Sequence, residues 1–222
     1  MKMVYSEMTE VFDTEIDKVN TVIIENQVIF TKLCMDIYNQ LQGLEGRVIV
    51  SEDNKPLNIC KKVELLTQFL PFEINKKGLI TKLVSMAERL ANENDYYEET
   101  MTQMAGIEKY LWSLTESMEG DIRFSKLSIG NIIKSAGLEF EDDYNSLGEK
   151  IIDYMELVRT YDCDKLFILV NLRSFINDNE CFELFDTILR KQFHVIMIEN
   201  CEHEIHSNEK RFIIDKDYCE IK

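Results

Sequence analysis

Apolar positions fall along this chain in two textures. Short continuous runs, Thr21 to Glu25 (TVIIE), Leu166 to Val170 and Val195 to Ile198, lack alternation, as parallel strands covered on both faces do. Longer segments repeat apolar residues in steps of three and four, the signature of amphipathic helices. The stretch from Asp164 to Glu199 joins the two textures. There Phe182, Phe185, Ile188 and Leu189 recur at helical spacing behind Asn177, Asp178 and Asn179, a cluster suited to an N-cap, with a buried strand on either side. This is a βαβ unit, and its crossover is expected to be right-handed, with both strands in one sheet.

The remaining pattern fills in around that unit. Met3 to Phe12 reads as an antiparallel edge hairpin around Glu7 to Glu10. After TVIIE, Asn26 can cap a helix carrying Phe30, Leu33, Cys34, Ile37, Tyr38 and Leu41 on one face, with Gly43 just past its end. Arg47 to Val50 reads as another strand and Lys62 to Leu70 as a short helix before Pro71. From Lys77 to Met118 the period is helical throughout, giving one long helix or two broken near Asn92, Glu93 and Asn94. At ~1.5 Å per residue an unbroken helix would run on the order of 60 Å, too long for a compact head. Ser125 to Ala136 and Asn145 to Tyr161 are shorter helices, the second opened by the capping box Ser146-x-x-Glu149. Arg211 to Ile214 and Tyr218 to Ile221 are strand-like. The pattern predicts an α/β head domain from residues 1–75 and 159–222, with a mostly parallel sheet, and an inserted all-α leg domain over 76–158 that projects from it.

Composition narrows the classes. A chain of 222 residues with 45% hydrophobic residues can bury a substantial core. No apolar run reaches the ~20 residues that span a membrane, and Met1 to Thr9 lacks the charged start and apolar stretch of a signal peptide, so a cytoplasmic protein without membrane contact is expected. The six cysteines show no CxxC spacing and read as reduced core thiols. A net charge of −16 argues against nucleic-acid binding by bulk attraction. The charge is uneven, however. Met86 to Asp121 holds nine acidic residues against Arg89 and Lys109, whereas Arg47 to Lys82 holds seven Lys/Arg against Glu52, Asp53, Glu64 and Glu73. An anionic partner should meet the second region, and the first invites a cation or plain water.

Candidate chemistry is sparse. The strand-to-helix junction IENQVIFT carries no glycine and no lysine to cradle phosphates, so ATP binding in the usual manner is not expected. In CEHEIH, Cys201, His203 and His206 could supply zinc donors, but a fourth ligand is lacking and a surface loop accounts for them. Asp142-Asp143 and Glu98-Glu99 read as solvated faces, with nothing nearby to perturb their pKa values. Glu116, Glu119 and Asp121, around a turn at Gly120, place three oxygen donors where a hard cation such as calcium could sit, or form a solvated acidic helix end. Arg47, Lys55, Lys61, Lys62, Lys76 and Lys77 are candidates for phosphate contact, without the interleaved aromatics of a single-strand platform, or ordinary solubilising surface. Tyr97, Met101 and Met104 on the leg, with little else in the chain to cover them, point to a homo-oligomer.

The order of TVIIENQ, VSEDNKPLNICKKVELL, the long helical insert, KLFILVN and HVIMIEN resembles the type II-A CRISPR-associated adaptation proteins of the Csn-two family across nearly the whole chain. The resemblance implies a degenerate P-loop-ATPase-like head, with Asn171 where an active ATPase would carry a metal-binding Asp, and a helical leg. It further implies a non-enzymatic tetrameric ring with calcium in its acidic leg, which encircles double-stranded DNA ends during spacer acquisition beside other CRISPR adaptation and effector proteins. Two alternatives stay open on the residues: a metal- or nucleotide-dependent enzyme on the same head, and an acidic scaffold that binds only proteins.

Overall fold

The computed structural model describes residues 1–221 and folds them into two compact units, one formed by Met1–Ile74 with the chain from Asp142 onward, the other by Asn75–Glu141. The first unit begins with β1 (Lys2–Tyr5), β2 (Val11–Asp13), β3 (Val19–Ile24), α1 (Gln27–Leu41), β4 (Val48–Glu52), β5 (Lys55–Pro56), α2 (Ile59–Lys62) and β6 (Val63–Leu66). The second holds α3 (Lys77–Ala91), α4 (Asn94–Thr115) and α5 (Ile129–Ser135). The chain then completes the first unit with α6 (Leu147–Tyr161), β7 (Leu166–Val170), a 3-10 turn over Leu172–Ser174, α7 (Asp178–Lys191), β8 (His194–Glu199), β9 (Glu209–Ile214) and β10 (Glu220–Ile221).

The main sheet has six strands in the order β10-β9-β3-β8-β7-β6. Every pairing from β9 to β6 is parallel and only β10 runs antiparallel. All six residues of β3 and all five of β7 are buried, which is why β7 and the Val22–Ile24 end of β3 read as unbroken apolar runs, while β3 also buries Asn20 and Thr21. On one face Ile29, Leu33 and Ile37 of α1 join Val22, Ile24, Ile168 and Ile196 in a single core. The alternate residues Ile23, Phe167, Leu169 and Met197 are equally buried on the other face, where α7 lies against β3 and packs on α6. Each such side chain contributes roughly 1.5–3 kcal/mol by leaving water. A second, antiparallel sheet, β2-β1-β4-β5, adds Met3, Tyr5, Val48 and Val50 to the α1 core.

Three expectations are corrected here. The segment beginning at Lys62 is not a helix to Leu70: Val63–Leu66 forms β6, in parallel register with Leu166–Leu169 of β7. A four-residue VELL places Val63 and Leu66 at a spacing that also suits a helix, and pairing with a buried neighbour overrides that local preference. Residues 142–158 belong with the sheet and not with the inserted helices. On α6, Ile151, Ile152, Tyr154, Met155 and Val158 are buried, and the Tyr154 hydroxyl donates to Glu64 Oε1 on β6 at 2.7 Å. Finally, Phe182 faces outward and Cys181, Leu184, Phe185 and Ile188 form the inner stripe of α7.

In the second unit the helical stretch is broken at Asn92 and Glu93, giving α3 and α4. α3 buries Leu79 and Val84 and packs on α4 and α5. The Asn75 side chain donates to the Phe140 carbonyl and accepts from the Phe140 N–H, both at 2.9 Å, which ties the unit's two ends together.

Candidate functional site

In open parallel sheets, ligands collect outside the carboxyl ends of the strands, where neighbouring connections diverge. Here that place is the end of β3, whose neighbours β8 and β9 belong to a later part of the chain. The β3–α1 junction is closed. Asn26 Oδ1 accepts from the Val28 N–H at 3.1 Å and the Ile29 N–H at 3.2 Å, and the Asn26 side-chain amide donates to the Lys216 carbonyl at 3.0 Å. The first-turn amides that a phosphate would need are therefore spent on a side-chain cap. The first basic residue of α1, Lys32, is turned to Glu7 at 3.5 Å.

Asn171 follows β7 in the left-handed conformation, φ 56°. Its N–H donates to the Ile198 carbonyl at 2.8 Å and its Oδ1 accepts from the Asn200 N–H at 3.0 Å, so it clasps the ends of β7 and β8 together. Behind it lies a buried ionic cluster absent from the sequence reading. Arg173 is almost wholly inside, donating to Glu209 at 3.4 Å, Asp178 at 3.2 Å and the Glu204 carbonyl at 2.7 Å. Its backbone N–H donates to Glu199 Oε1 at 3.2 Å. Glu199 is fully buried, its Oε2 has no hydrogen-bond partner among the described residues, and burial pushes its pKa up to about 7. His203 Nε2 is 3.7 Å from that oxygen, and burial together with Arg173 lowers the pKa of its imidazole. The sequence signal for this cluster is a carboxylate that closes an apolar strand, HVIMIE, where both faces of the sheet are covered.

The candidate phosphate contacts are dispersed. Arg47 is held in an ionic knot with Glu7 and with Asp36, the latter at 2.8 Å, and its guanidinium lies 5.5 Å from the Tyr5 ring centroid. Lys62 is half-buried and donates to the Asp164 carbonyl at 3.3 Å. Lys55 and Lys61 are exposed on the first unit. Lys76 and Lys77 belong to the second unit, where Lys76 is the half-buried N-cap of α3 and Lys77 is exposed.

Glu116, Glu119 and Asp121 are all exposed at and beyond the end of α4. Among the described residues no three His, Cys, Asp or Glu side chains come together as a group that could hold a metal ion. Glu116, Glu119 and Asp121 do not form such a group. All six cysteines are free, yet only Cys181 is buried while Cys60, Cys201 and Cys219 are exposed, which corrects the reading of all six as core thiols. No helix among the described residues is long and apolar enough to cross a membrane.

The fold thus defines an α/β protein with a mostly parallel sheet whose β3–α1 junction is capped by its own Asn26 side chain. The family described as CRISPR-associated protein (Cas_Csn2) matches residues 40–218, and the chain belongs to that family. It is 21% identical over 208 residues to the CRISPR-associated protein Csn2 of Enterococcus faecalis, covering 92% of this chain and 91% of that one. The Csn2 of Streptococcus agalactiae is 19% identical over 197 residues, covering 88% and 86%. In fold the chain is similar to the crystal structure of Stu0660 of Streptococcus thermophilus, with a TM-score of 0.55 at 10% identity over 95% of this chain and 74% of that one.

Proposed function

We propose that this CRISPR-associated protein works by assembly and binding, without chemistry of its own. Copies of the chain, four in the expected ring, encircle the end of a linear DNA duplex during acquisition of new spacers, alongside other CRISPR adaptation and effector proteins. The observation that carries this reading is the β3–α1 junction, where Asn26 occupies the amides of Val28 and Ile29 and leaves a nucleotide phosphate nothing to bind. The neutral Asn171, engaged with β8, supports it, since it offers no carboxylate to a metal. Assembly is supported by α4, which exposes Tyr97, Met101, Ile107, Tyr110 and Trp112. Lys55 and Lys61 are the exposed cations of the first unit to which we assign contact with the DNA backbone, a mode without sequence preference. Calcium belongs to this reading as a requirement of the assembly and not as a site within one chain.

The test compares retention of the protein on linear and covalently closed duplexes, in calcium and in chelator, with native mass and ATP hydrolysis followed in parallel. Linear DNA should be retained, with a steep loss as salt rises because neutralised phosphates release counterions. Lys55→Glu with Lys61→Glu should weaken that retention. Native mass and retention should both fall in chelator, and ATP hydrolysis should stay at background. Equal affinity for closed circles would remove encirclement, and robust hydrolysis would return the head to the enzymes.

A further inference from the structure

The C-terminal end of β8 carries three side chains that the proposed function does not use. His203 Nε2 lies 3.6 Å from Cys201 Sγ and 3.7 Å from Glu199 Oε2. Cys201 is exposed, whereas Glu199 is wholly buried with Oε2 lacking a hydrogen-bond partner among the described residues. Both spacings are measured from one ring nitrogen, and the three donors do not gather as a metal-holding group. Instead a surface thiol and an unsatisfied buried carboxylate both face the same imidazole nitrogen.

We propose that Cys201 is an activated thiol, a site of covalent modification by low-molecular-weight disulfides, with His203 as its base and Glu199 as the positioning residue that faces the same ring nitrogen. A thiol reacts as its thiolate, so a neighbour that takes the proton sets the rate. His203 Nε2 removes the proton from Sγ, and the thiolate attacks one sulfur of the disulfide. A new S–S bond to Cys201 forms as the reagent's own S–S bond breaks, and the departing thiolate takes the proton back from His203. In between, the protonated Nε2 of His203 is shared between the Cys201 thiolate and Glu199 Oε2, and gives that oxygen the partner it otherwise lacks. Charged and titratable groups around the pair include Arg173 after β7, Asp178 at the start of α7, Glu209 and Arg211 on β9, His206 beside Arg173 and Glu202 beside Arg211. Burial and Arg173 lower the His203 pKa, which favours the neutral ring, the form that accepts a proton.

The chain carries its own controls. Cys60 is also exposed, but its Sγ donates to the Gln40 carbonyl at 3.0 Å, an acceptor that cannot remove the proton. Cys219 is exposed on the segment leading into β10. Brief labelling of the full chain with iodoacetamide, read peptide by peptide by mass spectrometry, should modify Cys201 on the order of tenfold faster than Cys60 or Cys219. Oxidised glutathione should form its mixed disulfide at Cys201 first. His203→Gln should bring Cys201 down to the rate of the other two, and Glu199→Gln should slow it severalfold and move its pH profile. Unchanged labelling at Cys60 and continued protection of buried Cys181 report that the variants are folded. If Glu199→Gln exposes Cys181, His203→Gln decides alone. Wild-type Cys201 labelling no faster than Cys60 and Cys219, or indifferent to His203→Gln, would overturn the assignment.

Discussion

Helices α6 and α4 begin from similar amphipathic sequences and end in opposite conditions. α6 has 15 residues and buries six of them, among them Ile151, Tyr154, Met155 and Val158, beside α7 and the parallel sheet. α4 has 22 residues and buries only Thr100, while Tyr97, Met101, Tyr110, Trp112 and Leu114 remain open. The first unit is therefore a closed hydrophobic core that supplies its own stability. The second holds more apolar surface than its three helices cover, which is the physical case for an oligomer. Periodicity alone does not separate the two, because it reports a face and not what covers it.

The largest effect should come from emptying the closed core. Phe185→Ala on α7 removes a ring with no solvent exposure and should cost about 3–5 kcal/mol in denaturant unfolding. Tyr110→Ala on α4 removes a side chain that is 62% exposed and should change unfolding by no more than ~0.5 kcal/mol, while lowering native mass. A comparable loss of stability at Tyr110 would break the comparison, because α4 would then be covered within one chain.

A smaller effect follows from Glu199, a wholly buried acid whose Oε2 has no hydrogen-bond partner among the described residues. Burial raises the Glu199 pKa from an ordinary 4.5 to about 7, so the folded chain holds this proton more tightly than the unfolded chain does. The stabilisation from the protonated form is complete below 4.5 and is lost as pH rises through 7. His194 and His203, whose pKa values burial lowers, act in the opposite sense as they lose their protons. The useful quantity is thus the difference between wild type and Glu199→Gln. From pH 5 to 8 the melting temperature of the wild type should drop relative to the variant, and parallel profiles would mean that Glu199 titrates as it does in the unfolded chain.

What the sequence shows and hides follows the same division. β3, β7 and β8 are legible because strands buried on both faces carry a continuous apolar run, Val22–Ile24, Leu166–Val170 and Val195–Ile198. The caps are legible because Asn26, Ser146 and Asn177 act on amides two or three residues away. β6 is hidden in four residues whose fate depends on Leu166–Leu169, a hundred positions later. The Arg173–Glu199 contact joins residues 26 apart, and in sequence a buried glutamate looks like any surface glutamate. Arg47 was legible as a cation but not as one already engaged, since its partners are Glu7 and Asp36. Of the site candidates, then, local chemistry could be read directly, and anything set by chain crossings could not.

The smallest effect concerns how the helices of the two regions begin. In the first unit the long helices α1, α6 and α7 start on side-chain caps from Asn26, Ser146 and Asn177, whereas in the second the long helices α3 and α4 start at Lys76 and Glu93 with no side-chain cap bond and the short α5 is capped by Ser128. A cap satisfies amides that a helix otherwise leaves to solvent. Asn26→Ala should therefore cost about 1 kcal/mol by freeing the Val28 and Ile29 amides, and Asn26→Asp should restore most of it, because the carboxylate keeps an acceptor and adds a favourable charge at the helix N-terminus. At the start of α4 the direction reverses. Glu93→Asp shortens a side chain that now reaches back to Arg89 at 3.6 Å, an exposed pair worth little, and offers a carboxylate at cap length. That change should raise the stability of the helical unit by about 0.5 kcal/mol, read as slower amide exchange over the first turn of α4. Faster exchange there would show that Arg89 contributes more to the α3–α4 break than an uncapped helix start costs.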